Sequence, residues 1–144
     1  QFRENSGFIS FICVDFHDGE DYLTPITDLQ VRKMVRPKDW AEFVPELGVM
    51  EEDYTVTKRQ WGAFFGTDLD LQLRRRGIDT IVLCGIATNM GVESTAREAF
   101  QLGYQQIFVT DAMTSFTQEE HEASCIYTFP KIGRIRTVQE FIHS

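Results

Sequence analysis

The sequence predicts an α/β fold, with a parallel sheet flanked by helices. Three observations support it. Apolar runs rich in β-branched residues recur at Phe8–Val14, Thr80–Cys84 and Gln106–Thr110, and two of them are nearly continuous, as expected for strands covered on both faces. Segments with helical spacing and matching end signals lie between the later runs. Polar side chains then follow the strand ends (Asp15, Lys58, Asn89, Asp111), where ligands bind in parallel sheets.

Each element has its own signature. Phe8–Val14 is the first strand. Gly19–Asp53 is polar with broken periodicity, which predicts an irregular excursion able to line a site or an interface. Tyr54–Thr57 is a short second strand. Thr67 is placed to cap a helix running to about Arg76, with Gly77 as its stop. Arg74, Arg75 and Arg76 fall at the negative end of that helix dipole, which makes them a solvated helix end rather than a nucleic-acid contact. Thr80–Cys84 is the third strand. A helix follows Gly91, with Val92, Ala96, Ala99 and Phe100 at core spacing and Gly103 as its stop. After Gln106–Thr110, a capping box of Thr117 and Glu120 opens a helix that Pro130 ends. Ile132–Thr137 is a plausible last strand, and Val138–Ile142 a short closing helix. No internal repeat or linker interrupts residues 1–144, so they form one domain.

Composition narrows the partners. A formal net charge of −8 over 144 residues argues against nucleic acid or an anionic membrane. No apolar run reaches the roughly 18 residues that suggest a membrane span, and no signal peptide is visible. Cys13, Cys84 and Cys125 have no metal-type spacing, and two lie in apolar runs; buried, reduced thiols of a cytoplasmic protein are expected. A small molecule fits as partner, an acidic one included, because a local cation can outweigh a distant screened field. No cofactor motif is present.

The run from Cys84 to Arg97, CGIATNMGVESTAR, carries the most chemistry. It reads as a buried strand, a tight turn and the start of a helix, an arrangement that gathers backbone N–H groups where negative charge could be held. Lys58 follows YTVT and precedes QWGAFFGT. Two readings stay open for it: a partly desolvated lysine suited to proton transfer, or a surface lysine opening a loop. Trp61, Phe64 and Phe65 could wall a pocket or fill a core. Arg97 is at i,i+4 spacing from Glu93, which favours an ion pair. Asp15-Phe16-His17 has the form of a metal-site opening, but further histidines at suitable positions are missing, so a polar strand end is the expected reading and no metal is assigned.

Most of the Cys84–Arg97 run resembles the nucleophile elbow of the isochorismatase-like hydrolases, also called cysteine hydrolases. Lys58-Arg59-Gln60-Trp61-Gly62-Ala63-Phe64, followed by Gly66-Thr67, is similar to that family's catalytic-lysine segment, and Asp111-Ala112 with His121 to a looser third pattern. The resemblance spans nearly the whole chain from Phe8 onward. It implies a Rossmann-like three-layer sandwich and a hydrolase of small metabolites that forms dimers or larger homo-oligomers. Residue by residue, it implies that Lys58 handles protons and that Ile86–Ala87 is a cis peptide. It gives the N–H groups of Ala87 and Gly91 to an oxyanion, and Trp61, Phe64, Thr88 and Asn89 to substrate. Position favours the pocket for Phe64 and the core for Phe65.

Two departures from the family pattern shape the expected chemistry. Gly91 stands where the family has its nucleophilic cysteine, which excludes covalent catalysis there but leaves the backbone amides in place. Cys84 is no substitute, being expected as an inert core residue. The family's first strand, which ends in an Asp, has no counterpart in the sequence. That strand would lie between Phe8–Val14 and Thr80–Cys84, so these two are expected about one strand-width apart and unpaired. Glycine at position 91 resembles the true isochorismatases, which hydrolyse a vinyl ether without a thiol, although their usual His is replaced here by Asn89-Met90. A hydrolase of vinyl-ether or amide-type bonds is the first expectation. A degenerate member that binds a small molecule or a partner without turnover is the second.

Overall fold

The computed structural model describes residues 2–29 and 35–144. Part of the predicted Gly19–Asp53 excursion therefore lies outside the described residues. Two parallel sheets carry the chain. Strand β1 (Ser10–Val14) pairs with β2 (Tyr54–Lys58), from Ser10 opposite Tyr54 to Val14 opposite Lys58. Strands β3 (Thr80–Ile86), β4 (Gln105–Thr114) and β5 (Arg134–Arg136) form the second sheet in that order. Among the described residues no ladder joins β1 to β3. β3 and β4 run further than their apolar cores, because backbone pairing continues past a register shift between Leu83 and Gly85.

Among the described residues five α-helices flank the sheets. Helix α1 (Leu69–Arg75) follows β2, and the Thr67 hydroxyl accepts the Leu69 N–H at 3.3 Å. Helix α2 (Glu93–Gln101) follows β3 through a π-turn at Thr88–Val92. Gly77 and Gly103 follow these helices at φ +66° and +86°, a region open to glycine at little cost. Helix α3 (Gln118–Ala123) starts at the Thr117/Glu120 capping box. Its path does not stop at Pro130. A π-turn (Ser124–Thr128) and a short α4 (Phe129–Ile132) carry it on, with Pro130 in the first turn of α4, where a missing N–H leaves no helical bond unmade. Helix α5 is Val138–Ile142.

Helix α2 joins two cores. Its Ala99 packs with Val56, Phe64, Leu69, Leu73 and Tyr104 beside the β1–β2 sheet. Its Ala96, with Val92 of the preceding π-turn, packs with Phe108 and Phe129 beside β4, where the two rings stack 4.1 Å apart. The expected burial of the cysteines is not met: Cys13 and Cys125 are half-buried and Cys84 is exposed. Cys84 sits at the β3 register shift, which takes it out of the regular ladder with β4. Among the described residues no helix is long and apolar enough to cross a membrane.

Candidate active site

Lys58 is the last residue of β2 and its side chain turns inward, with only 8% of the residue exposed. The amine donates to the carbonyl oxygen of Trp61. It also faces the turn after β3: a Cβ built on Gly91 would lie 3.2 Å from Lys58 Nζ. Strand β2 thus brings its terminal lysine to the start of the helix that follows β3. Burial lowers the Lys58 pKa from its ordinary value, while the Glu98 carboxylate and the Cys13 thiol act in the opposite direction.

The segment after Lys58 is fixed to α2 by two side chains one turn apart. Thr95 Oγ1 accepts the Ala63 N–H at 3.1 Å and donates to the Gly91 carbonyl at 2.7 Å. Glu98 Oε2 accepts the Phe64 N–H at 3.1 Å. Gly62 lies directly under that carboxylate, where a Cβ would come within 2.3–2.6 Å of its atoms. One threonine therefore ties the lysine segment to the Gly91 turn. Neither Thr95 nor Glu98 is identified by sequence reasoning, and both link positions more than 30 residues apart.

The turn itself is closed on its own backbone. The Ile86–Ala87 peptide is cis. The N–H groups of Met90 and Val92 both return to the Ala87 carbonyl, at 3.1 and 3.2 Å. Thr88 is fully buried and its hydroxyl meets His121 Nδ1 at 2.8 Å, while His121 Nε2 lies 3.6 Å from Cys125 Sγ. Asn89 Oδ1 accepts from the Ser115 hydroxyl at 2.5 Å. Arg97 pairs with Glu93 at 2.8 Å, and the same carboxylate accepts from Ser124 and Thr128, which tethers α2 to the π-turn after α3.

Several expected roles are corrected by these contacts. Phe64 does not wall a pocket. With its N–H held by Glu98, its ring turns into the core, 7% exposed and stacked 5.6 Å from Tyr104. Phe65 takes the opposite place and is 74% exposed. Thr88 has no exposed surface to offer a substrate, because its hydroxyl is committed to His121. Trp61 is exposed beside the lysine, and Asn89 is half-buried in the turn. The Asp15 carboxylate accepts the Trp40 indole N–H at 3.2 Å, and Asp111 accepts the Val138 N–H at the start of α5 at 2.8 Å. Among the described residues no group of three or more His, Cys, Asp or Glu side chains converges as a metal site. A cleft of about 360 Å³ opens between β1 and the end of β3, lined by Ile12, Cys13, Val14, Trp40 and Ile86 with the turn that follows Trp40.

The chain as a whole has counterparts among known proteins. The isochorismatase domain model matches residues 3–140. The chain belongs to the isochorismatase family. It is 71% identical to the uncharacterized isochorismatase family protein YwoC of Bacillus subtilis over 144 residues, covering 99% of this chain and 76% of the relative. It is 36% identical to the ureidoacrylate amidohydrolase RutB of Variovorax paradoxus over 104 residues, covering 72% of this chain but only 41% of RutB. The solved structure of an isochorismatase family protein from Burkholderia thailandensis superimposes with a TM-score of 0.92 at 44% identity, over 96% of this chain and 74% of that one. The parallel sheets, their order and the flanking helices are thus those of this family's fold.

Proposed function

We propose that the chain carries the site of an isochorismatase-family hydrolase that cleaves a vinyl-ether or amide-type bond in a small, anionic or amide-bearing molecule without a cysteine nucleophile. The observation that carries this reading is the buried Lys58 amine aimed at the Gly91 turn, 3.2 Å from where a side chain at that position would begin. Lys58 holds or delivers a proton. The N–H groups of Ala87 and Gly91 receive negative charge as it develops. Trp61 and Asn89 border the same turn and contact the substrate. Water supplies the attacking oxygen, since Gly91 offers no thiol.

The second acid–base group lies outside these elements in this reading. Among the described residues β1 and β3 each pair on one side only, and the cleft between them is bordered by β1 and Ile86. A further strand in that interval, ending in an Asp, would place a carboxylate at the same end of the sheet as Lys58. Replacing Lys58 with Ala in the full polypeptide tests the assignment, with isochorismate and ureidoacrylate as probes. Turnover is expected to fall at least about a hundredfold, the usual contribution of a positioned proton-transfer group. Undiminished turnover removes Lys58 from the mechanism. A non-catalytic binding protein is the second reading, favoured by the glycine at position 91; it predicts that the unaltered protein binds one of these probes and releases no product.

A further inference from the structure

We infer that Glu98 is the positioning residue of the lysine site: its carboxylate clamps the Lys58–Phe64 segment to α2 and supplies the counter-charge that keeps the Lys58 amine protonated. The inference rests on the reading of Lys58 as the proton-handling group. It deepens that reading by naming what sets the lysine's charge.

Two features of the chain converge on this carboxylate. Phe64 donates its backbone N–H to Glu98 Oε2 at 3.1 Å, so the segment is held by a charge-assisted bond. Gly62 has no side chain where a Cβ would stand within 2.6 Å of all three carboxylate atoms. The motif Trp61-Gly62-Ala63-Phe64 is thereby shaped around an acid that lies 34 positions further along. The clamp fixes the Trp61 carbonyl as well, and that carbonyl is the hydrogen-bond acceptor of the amine.

Charge makes the second half of the case. A buried ammonium with one neutral carbonyl partner is costly, and burial alone favours the neutral amine. The Lys58 Nζ donates to the carbonyl of Trp61, the residue before the Gly62 that lies under the Glu98 carboxylate, and Glu98 from α2 and Cys13 from β1 both favour the charged form against the larger effect of burial. Arg59, the next cation along β2's exit, is exposed and turned toward Asp21 at 3.4 Å, away from this balance. Glu98 is therefore the carboxylate that counters part of the effect of burying Lys58.

The test follows the lysine rather than turnover. The Lys58 side-chain ¹³Cε signal is titrated by NMR in the full polypeptide and assigned with Lys58→Arg. Glu98→Gln keeps an oxygen acceptor for the Phe64 N–H and removes the charge. The Lys58 midpoint is expected to move to lower pH, with Phe64 amide exchange unchanged. Gly62→Ala keeps the acid and pushes it aside. There the midpoint is also expected to fall, and Phe64 amide exchange to quicken by about tenfold or more as its charged partner is lost. A Lys58 midpoint that stays put in both variants overturns the counter-charge. A Phe64 amide that stays protected in Gly62→Ala overturns the clamp. Loss of turnover in Lys58→Ala alongside an unmoved midpoint would sink this inference and leave the hydrolase reading standing.

Discussion

Gly62 and Gly133 are both glycines with no room for a Cβ, yet what blocks them differs. At Gly133 the obstacles are the Phe108 ring at 2.6 Å, the Gln106 carbonyl at 2.7 Å and the Gln106 Cβ at 2.9 Å, all belonging to a central strand that cannot step back. At Gly62 the obstacle is the far end of one flexible side chain, Glu98. The first glycine lets the turn after α4 close on β4 and so belongs to the fold. The second lets a loop close on a carboxylate and so belongs to the site. The tighter contact, at Gly62, is thus the one that can yield, and substitution separates the two.

Gly133→Ala has the largest expected effect. An added methyl must displace strand backbone or the stacked Phe108–Phe129 pair, and overpacking of this kind costs about 1–3 kcal/mol. The urea midpoint falls accordingly, while the Lys58 environment, which lies in the other core, keeps its titration. A variant of wild-type stability would show that β5 and its turn shift freely against β4, and the contrast with Gly62 would vanish.

Two tyrosines set a response to alkali. Tyr104 and Tyr54 both belong to the core beside β1 and β2, and their phenols are pushed up to about 12, first by burial and then by bonds to Asp70 and Asp68. A phenol whose pKa is higher folded than unfolded stabilises the fold fully below the unfolded value of 10.0 and loses that contribution as pH rises toward 12. The contribution of these two phenols is therefore expected to be lost from about pH 10 upward. Stability measured between these limits tests it. Tyr104→Phe should flatten the decline, and a slope identical to that of the unaltered protein would show that Tyr104 titrates freely.

How much of this was legible in the sequence follows the same line. The strands are legible in the apolar runs, because burial on both faces leaves a contiguous pattern, whereas the gap between β1 and β3 follows from the family resemblance. The lysine and the turn came from local motifs, because each sits within a few residues of its own strand end. Phe64 lies in the core and Phe65 at the surface, the reverse of the expectation from sequence, for a physical reason. Adjacent aromatics are equivalent in composition, and which one enters the core is decided by Thr95 and Glu98 catching the N–H groups of Ala63 and Phe64. Those contacts are long-range and leave no periodic trace. Thr88 was misread for the same reason, since its partner His121 is 33 positions away. The exposure of Cys84 depends on a register shift in the pairing with β4, which no apolar pattern encodes.

The smallest expected effect concerns the Glu93–Arg97 pair, which the i,i+4 spacing did reveal. Its two members are not equal. Arg97 is 61% exposed, and an exposed partner of an ion pair contributes about 0.5 kcal/mol or less, so Arg97→Ala should change stability barely at all. Glu93 is 17% exposed and also accepts from Ser124 and Thr128, so Glu93→Ala strands two hydroxyls beneath α2 and should cost about 1–2 kcal/mol. Unfolding midpoints of the two variants, in low and in high salt, measure the asymmetry. Equal losses that both shrink with salt would mean that the carboxylate acts only through Arg97, and that the tether between α2 and the π-turn after α3 contributes nothing to holding the two cores together.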